Sequence, residues 1–260
     1  MMKNNFTQLK IDHSFIDEKR FRTACDIVSG KSAGLQGIGT MQEKSVHAVL
    51  KHYYEPDSDH HEIPINGYVA DICRDGEIME IQSKSFYVMK KKLSEFLKEY
   101  EVTVVYPIAL TKYLIWIEPE TGQVQPPRKS SKKGHLYQLV PELYSIREFL
   151  SHPHLHFLVC FIEMEEYKLL DGYGKNKKMR ASKTDRFPTK LLGEFRLDSI
   201  ADWPTLLPQQ LPETFTSEDL KTATGCHIDE ARMLLTLLYR EHLIERCGRQ
   251  GRYYQYKLLS

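Results

Sequence analysis

Asp71 and Glu80 are the residues whose types and spacing first suggest chemistry. They flank the run Ile72-Cys73-Arg74-Asp75-Gly76-Glu77-Ile78-Met79, whose Asp75-Gly76 is the favoured dipeptide of a two-residue hairpin turn. A turn there fixes the register. Arg74 faces Glu77, Cys73 faces Ile78, Ile72 faces Met79, and Asp71 falls opposite Glu80. Such partners stand with Cβ atoms about 4.5–5.5 Å apart on one face of a sheet. Two carboxylates so close repel each other unless positive charge lies between them. Hard oxygen ligands of this kind suit magnesium or manganese. The period of two adds Gln82 and Lys84 to the face of Glu80, while Ala70, Ile72, Met79 and Ile81 point to the opposite, apolar face. An edge hairpin with both carboxylates in water satisfies the same spacing, and the residues alone leave the two alternatives open.

The flanking segments supply the frame for this hairpin. Residues Met41 to Tyr54 place Val46, Val49, Leu50 and Tyr53 at helical spacing, with Thr40 as N-cap. After the hairpin, Lys90 to Tyr100 reads as a short basic helix, and Glu101 to Leu110 and Tyr113 to Glu118 as two buried strands. Gln125 to Lys133 is a loop, Leu139 to Leu150 a helix and Leu155 to Leu170 a long strand or strand pair. Together these predict an α/β domain, a mixed sheet flanked by helices, over residues 41–203. A helix-leaning segment over residues 1–40 precedes it and ends in Gly30, Gly34, Gly37 and Gly39, which lack the lysine-serine ending of a phosphate loop.

An aspartate ending one strand, followed on the next by Glu80-Ile81-Gln82, resembles the active-site signature of the PD-(D/E)XK nuclease superfamily. The resemblance covers about residues 41 to 118 and implies a restriction-endonuclease-like fold. It assigns the magnesium (or manganese) ligands to Asp71, Glu80 and the backbone carbonyl of Ile81, and water orientation to Gln82, which stands where the family has lysine. Ala70 replaces the proline that usually precedes the first aspartate. Lys84 is the candidate for the missing positive charge, and Glu43 matches the acidic residue common on the helix before the hairpin. His47 shares the helical face of Glu43, where a half-buried structural histidine is the commoner outcome.

Two further stretches bear on a polyanionic substrate. Residues Lys175 to Lys190 carry seven basic side chains against one acidic. Lys175, Lys177, Lys178, Arg180, Lys183 and Arg186 are candidates for tracking a phosphate backbone from a loop. The Lys90-Lys91-Lys92 run is a weaker one. Pro204, Pro208 and Pro212 then mark a linker with few contacts across it.

Beyond the linker, Thr216 caps a helix, Gly225 makes a tight turn, and Ile228 to Arg240 sets Ala231, Leu234, Leu235 and Leu238 at core spacing. Leu243 to Cys247, a turn at Gly248-Arg249-Gln250-Gly251, and Arg252 to Lys257 complete a pattern over residues 211–260 that resembles a winged helix, a small α+β domain. By that resemblance His227, Asp229, Glu230, Arg249, Gln250 and Arg252 are the DNA contacts. Asp229 and Glu230 are acidic where a groove-reading helix prefers neutral or basic residues. A protein-interaction role, with a partner protein or in a homodimer, is the alternative for this unit.

Composition sets the outer limits. Thirty-six Lys and Arg against thirty-five Asp and Glu leave a formal charge of +1, so affinity for nucleic acid must come from local clusters. Neither an apolar run long enough for a membrane span nor a secretion leader is present, which points to the cytoplasm and to no membrane partner. Five scattered cysteines without a Cys-x-x-Cys pair suggest neither a disulfide framework nor a zinc site. His152, His154 and His156 alternate as a surface row at a strand entry. The expectation that follows is a magnesium-dependent deoxyribonuclease with the winged helix positioning DNA. A non-catalytic DNA-binding regulator on a decayed nuclease fold is the alternative, and a protein-interaction scaffold a third.

Overall fold

Asp75 and Gly76 both adopt positive φ, 50° and 86°, in the mirror-image turn whose twist matches that of the strands it joins. The consequence is the expected register, with Ile72 opposite Met79, Cys73 opposite Ile78 and Arg74 opposite Glu77. The computed structural model describes residues 16–33, 45–172 and 181–259.

Two helices, α1 (Glu18–Ala33) and α2 (Ser45–Tyr54), precede a meander of β1 (His61–Ile65), β2 (Tyr68–Arg74) and β3 (Glu77–Ile81). Helix α3 (Lys90–Phe96) leads to β4 (Glu101–Ile117), and the short β5 (Arg128–Lys129) and helix α4 (Val140–Ser145) lead to β6 (Leu155–Leu169) and β7 (Ser182–Leu197). The strands form one seven-stranded sheet in the order β1-β2-β3-β4-β6-β7, with β5 also on β4. The central pairs β3–β4 and β4–β6 are parallel, each joined by a helical crossover, and the outer pairs are antiparallel. The protein is therefore mixed α/β, a mixed sheet flanked by helices.

Strand β6 shows why the sheet is covered on both sides. Phe157, Val159 and Phe161 pack into one hydrophobic layer with Phe86, Leu93, Phe96 and Leu143. Leu158, Cys160 and Ile162 alternate into the other, against Phe21, Ala24, Val49 and Leu50 of α1 and α2. A strand buried on both faces reads as an unbroken apolar run. The hairpin divides similarly: Ile72, Met79 and Ile81 belong to the α1/α2 layer, but Ala70 packs into the other, contrary to the single apolar face expected for all four.

Several boundaries differ from the sequence reading. The two strands expected at Glu101–Leu110 and Tyr113–Glu118 are one strand, β4, interrupted by a bulge between Ala109 and Thr111. Gly134 closes on that bulge. Its amide donates to the Ala109 carbonyl at 2.8 Å, and a Cβ there would stand 2.6 Å from the same oxygen. The expected loop at Gln125–Lys133 contains β5, and β1 was not expected, its Pro64 being tolerated because β1 is an edge strand. Lys183 and Arg186 lie on β7 and not in a loop. Cys160 and Cys226 are buried, whereas Cys247 is exposed.

The C-terminal residues form α5 (Ser217–Thr224), α6 (Ile228–Arg240) and the antiparallel pair β8 (Ile244–Gln250) and β9 (Tyr253–Leu258). Thr216 accepts the Asp219 amide and Asp219 accepts that of Thr216, a reciprocal cap, and Gly225 ends α5 at φ 73°. The α6 start repeats the device. His227 Nδ1 accepts the Asp229 amide, and Glu230 accepts that of His227 at 2.7 Å. Glu230 thus satisfies a helix N-terminus, where negative charge is stabilised, while the Asp229 carboxylate accepts from Arg232. The strands run further than expected, so the turn lies at Gly251-Arg252 and Gly248, Arg249 and Gln250 belong to β8.

The proline-marked linker opens in a turn of 3-10 helix over residues 200–206 that packs into the core, with Trp203 and Leu206 each 1% exposed, whereas Gln209, Gln210 and Pro212 are exposed. Tyr137 donates to the Leu206 carbonyl at 3.0 Å, and α6 packs on α4. Leu220, Leu234 and Leu238 join the same core as Leu136, Leu139 and Leu143. Prolines limit backbone geometry but say nothing of burial, which the apolar side chains between them decide. No helix among the described residues is long and apolar enough to cross a membrane.

Candidate functional site

The β2–β3 ladder ends at Ile72 and Met79, and one step further the strands fork. Strand β3 stays with β4, pairing Glu80 with Val104 and Ile81 with Val105, while β2 stays with β1. Side chains replace the missing ladder bonds. The Asp71 amide donates to Glu80 Oε1 at 3.2 Å, and the Ile81 amide donates to Asp71 Oδ2 at 2.8 Å. Each carboxylate thus caps the opposite strand, and both are drawn into the fork and largely buried, Glu80 to 4% exposure.

Helices on the two sides of the sheet complete the site. His47 of α2 sets Nε2 3.0 Å from Asp71 Oδ2, and Lys92 of α3 donates from Nζ to Glu80 Oε2 at 2.5 Å. Burial pushes the Glu80 carboxyl up to about 7, the Asp71 charge adds to the rise, and Lys92 opposes it. Burial acts upward on Asp71 too, but the His47 bond and charge, the Ile81 amide and Lys92 outweigh it and hold Asp71 below its ordinary value. Near neutral pH the pair therefore carries its full charge on Asp71, while Glu80 is only partly ionised.

Among the described residues, no group of three or more His, Cys, Asp and Glu side chains is arranged to hold a metal ion. Two carboxylates and a neighbouring backbone carbonyl nevertheless suit magnesium, which keeps several of its waters and takes one or two carboxylates.

The other expected members of the site divide into three groups. Ile81 lies at the fork beside Asp71 and Glu80. Gln82 and Lys84 do not continue the face of Glu80, because β3 ends at Ile81. The Gln82 side-chain amide donates to the Lys84 carbonyl at 2.5 Å, and the Lys84 side chain is exposed. Glu43, Lys175, Lys177, Lys178 and Arg180 lie outside the described residues, as does Thr40.

Lys92 and His47 are the site residues that sequence reasoning did not assign. Lys92 was one of three equal lysines, but Lys90 pairs with Glu148 and Lys91 is exposed. Its neighbour Leu93 is fully buried along with Met89 and Phe96, so Lys92 borders the buried stripe of α3. That position was the available signal.

Of the remaining candidates, Lys183 and Arg186 flank the buried Glu166 on β6. His227 caps α6 as described. Arg249 donates to the Tyr254 hydroxyl and stacks on its ring, and Arg252 does the same with Tyr253. Gln250 pairs with Tyr253 at the end of the hairpin. The row of His154 and His156 gains a carboxylate partner that is distant in sequence, Glu101 of β4, 2.9 Å from His156.

The family described as a domain of unknown function (DUF8091) matches residues 44–198, which include α2, the fork, α3 and the whole large sheet. An uncharacterized protein of Treponema pallidum (strain Nichols) is 31% identical over 222 residues, spanning 83% of this chain and 85% of its own length. No solved structure matches the chain.

Proposed function

We propose, for a chain that belongs to the DUF8091 family, an activity argued from its own residues: magnesium- or manganese-dependent hydrolysis of DNA phosphodiesters on a restriction-endonuclease-like fold. The observation that carries this reading is the forked hairpin, which brings Asp71 and Glu80 together with Lys92 on Glu80. The mixed sheet, with its parallel centre and a helix on each side of the fork, accords with the PD-(D/E)XK resemblance. In this reading α5, α6 and the β8–β9 hairpin are a winged helix that positions the duplex.

Asp71, Glu80 and the Ile81 carbonyl would hold the ion. When bound, it supplies a Lewis acid for the phosphoryl oxygens and acidifies a water. Asp71 offers a charged oxygen throughout the neutral range, fixed in orientation by His47 and the Ile81 amide. Glu80 releases its proton to make room for a divalent cation. Lys92 fills the role that the family gives to the motif lysine, reaching Glu80 from α3 where Gln82 stands in the motif.

The tie between Gln82 and the Lys84 carbonyl favours a second reading, a DNA-binding regulator on a nuclease fold that no longer cuts. The deciding experiment incubates supercoiled plasmid with the full chain and magnesium or manganese, beside Asp71→Asn, while calorimetry follows ion binding. Cleavage by wild type alone supports hydrolysis. Ion binding without cleavage favours the regulator, and no ion binding by wild type rejects the metal site.

A further inference from the structure

Glu166 on β6 is the most enclosed carboxylate among the described residues, at 2% exposure, and it is surrounded by more positive charge than its burial requires. Arg186 Nε of β7 lies 3.2 Å from it, Lys112 Nζ of β4 3.4 Å, Lys168 Nζ of β6 3.5 Å and Lys183 Nζ of β7 3.8 Å. One carboxylate offsets one of these four cations and leaves a surplus of three. Like charges gathered in a partly desolvated patch repel one another.

The other carboxylates of this part of the sheet keep their charge but bond to other partners. Asp185 binds the amide and hydroxyl of Ser45, Glu165 takes the Tyr167 hydroxyl at 2.6 Å, Glu163 bonds Thr189 and pairs with Lys190, and Asp171 binds Ser182. Burial acts to raise the Glu166 carboxyl, but the four cations together hold it below its ordinary value, so it stays charged. The Lys183 ammonium is held below its usual range by burial and by Arg186, Lys112 and Lys168, against the pull of Glu166.

The patch is also open on one side. Lys183 and Arg186 are 59% and 42% exposed, whereas Lys112 and Lys168 line the floor at 19% and 22%, Lys168 lying over the Trp116 ring. We propose that this quartet is an oxyanion site that takes a phosphate group, with Glu166 as the buried anchor that gathers the four cations. Assigning that phosphate to a DNA backbone rests on the deoxyribonuclease reading, whereas the oxyanion site itself does not.

Helix α2 ties the quartet to the fork. Its first residue, Ser45, bonds Asp185 next to Arg186, and two positions on, a rise of about 3 Å, His47 bonds Asp71. On the deoxyribonuclease reading, the phosphate that the quartet takes belongs to the same duplex that is cut at Asp71 and Glu80.

The test uses the full chain in EDTA, so that binding is read without hydrolysis. A fluorescein-labelled short duplex is titrated over a range of KCl with wild type and with the double variant Lys183→Ala/Arg186→Ala. That variant leaves Lys112 and Lys168 to neutralise Glu166, and an unchanged thermal midpoint verifies its fold. Loss of one phosphate contact lowers the slope of log affinity against log salt by about 0.9 on every sequence alike. Lys183→Glu, a reversal at the most exposed member, weakens binding further. In parallel, inorganic phosphate at matched ionic strength raises the thermal midpoint of wild type above that of the double variant. A phosphate response with an unchanged DNA slope keeps the oxyanion site and removes DNA as its ligand. An altered slope without any metal-dependent cleavage keeps the site and rejects only hydrolysis. An unchanged slope together with no phosphate response overturns the proposal.

Discussion

Lys92 donates to the Glu80 carboxylate at 2.5 Å, so the cation closest to the paired carboxylates comes from helix α3 and not from the strand that carries Glu80. The charge that the Glu80-Ile81-Gln82 sequence lacks is present in space. Lys92 also lies over the Phe96 ring, 5.5 Å from its centroid, which fixes the ammonium from the helix side.

Replacing Lys92 by Met keeps the length of the side chain and removes its charge. Glu80 then retains its proton to higher pH, so the fold survives. On the deoxyribonuclease reading cleavage falls by about 100-fold, the scale of losing one preorganised charge donor. Plasmid cleavage under single-turnover conditions measures it, and equal rates for the variant and wild type would remove Lys92 from the reaction.

The proton on Glu80 makes metal-free stability depend on pH in a direction opposite to that of an ordinary carboxylate. Its folded value, about 7, lies above its ordinary 4.5, so the folded state binds the extra proton. Stability from this group is complete below 4.5 and is lost as pH rises to 7, by on the order of 3 kcal/mol. Glu80→Gln removes this slope. Urea unfolding in EDTA at pH 5 and pH 8 measures the difference. The variant keeps the contact between His47 and Asp71, so the comparison isolates Glu80.

Two effects compete in Asp71→Asn. Repulsion from Glu80 is relieved, which by itself favours the variant, but the charge-assisted bonds from His47 and the Ile81 amide weaken. The bonds prevail, because hydrogen bonds to a charged group contribute about 1.5–3 kcal/mol and a facing pair only about 0.2–1. The variant is therefore less stable than wild type by about 1 kcal/mol. On the deoxyribonuclease reading it also gains no stability from added magnesium, whereas wild type does. A denaturant series with and without the ion reports both.

Removing residues 211–260 does not leave an independent unit. Leu136, Leu139 and Leu143 share their core with Leu220, Leu234 and Leu238, and the cut exposes them. The shortened chain loses near-ultraviolet circular dichroism and binds a hydrophobic dye while keeping helical signal. Cooperative thermal unfolding of that fragment would show that the large sheet needs no cover from α6.

The hairpin was legible from its turn as far as Ile72 and Met79, because a single dipeptide, Asp75-Gly76, sets both turn and register. The period of two fails beyond the fork, where Ala70, Gln82 and Lys84 leave the expected faces. His227, expected as a DNA contact, is a cap that only the structure shows, whereas the cap at Thr216 was legible in the same local way, confined to four residues. Lys92 and the Glu166 quartet were not. Their partners come from separate strands and helices, and no local spacing distinguishes Lys92 from Lys90 and Lys91. The join of α6 to α4 was hidden by Pro204, Pro208 and Pro212, which mark turns without saying whether the apolar side chains beside them, Trp203, Leu206 and Leu207, are buried. Strand β1 was hidden by Pro64, and the unity of β4 by the extra residue at its bulge.

That bulge has a consequence for length. Leu110 is the residue without a partner, so the ladder between β4 and β6 keeps step on both sides of it while the strand bends. Glu80 and Ile81 pair before the bend, Lys112 lies beyond it, and Gly134 locks it. The spacing from fork to quartet therefore runs through β4 as through a ruler, since β4 pairs with β3 at one end and carries Lys112 at the other. On the deoxyribonuclease reading, oligonucleotides too short to span it are held at one point and cut slowly, and the rate rises in a step once the second phosphate is reached. Deleting Leu110 would straighten the ruler and move that step, with every residue of both sites left in place.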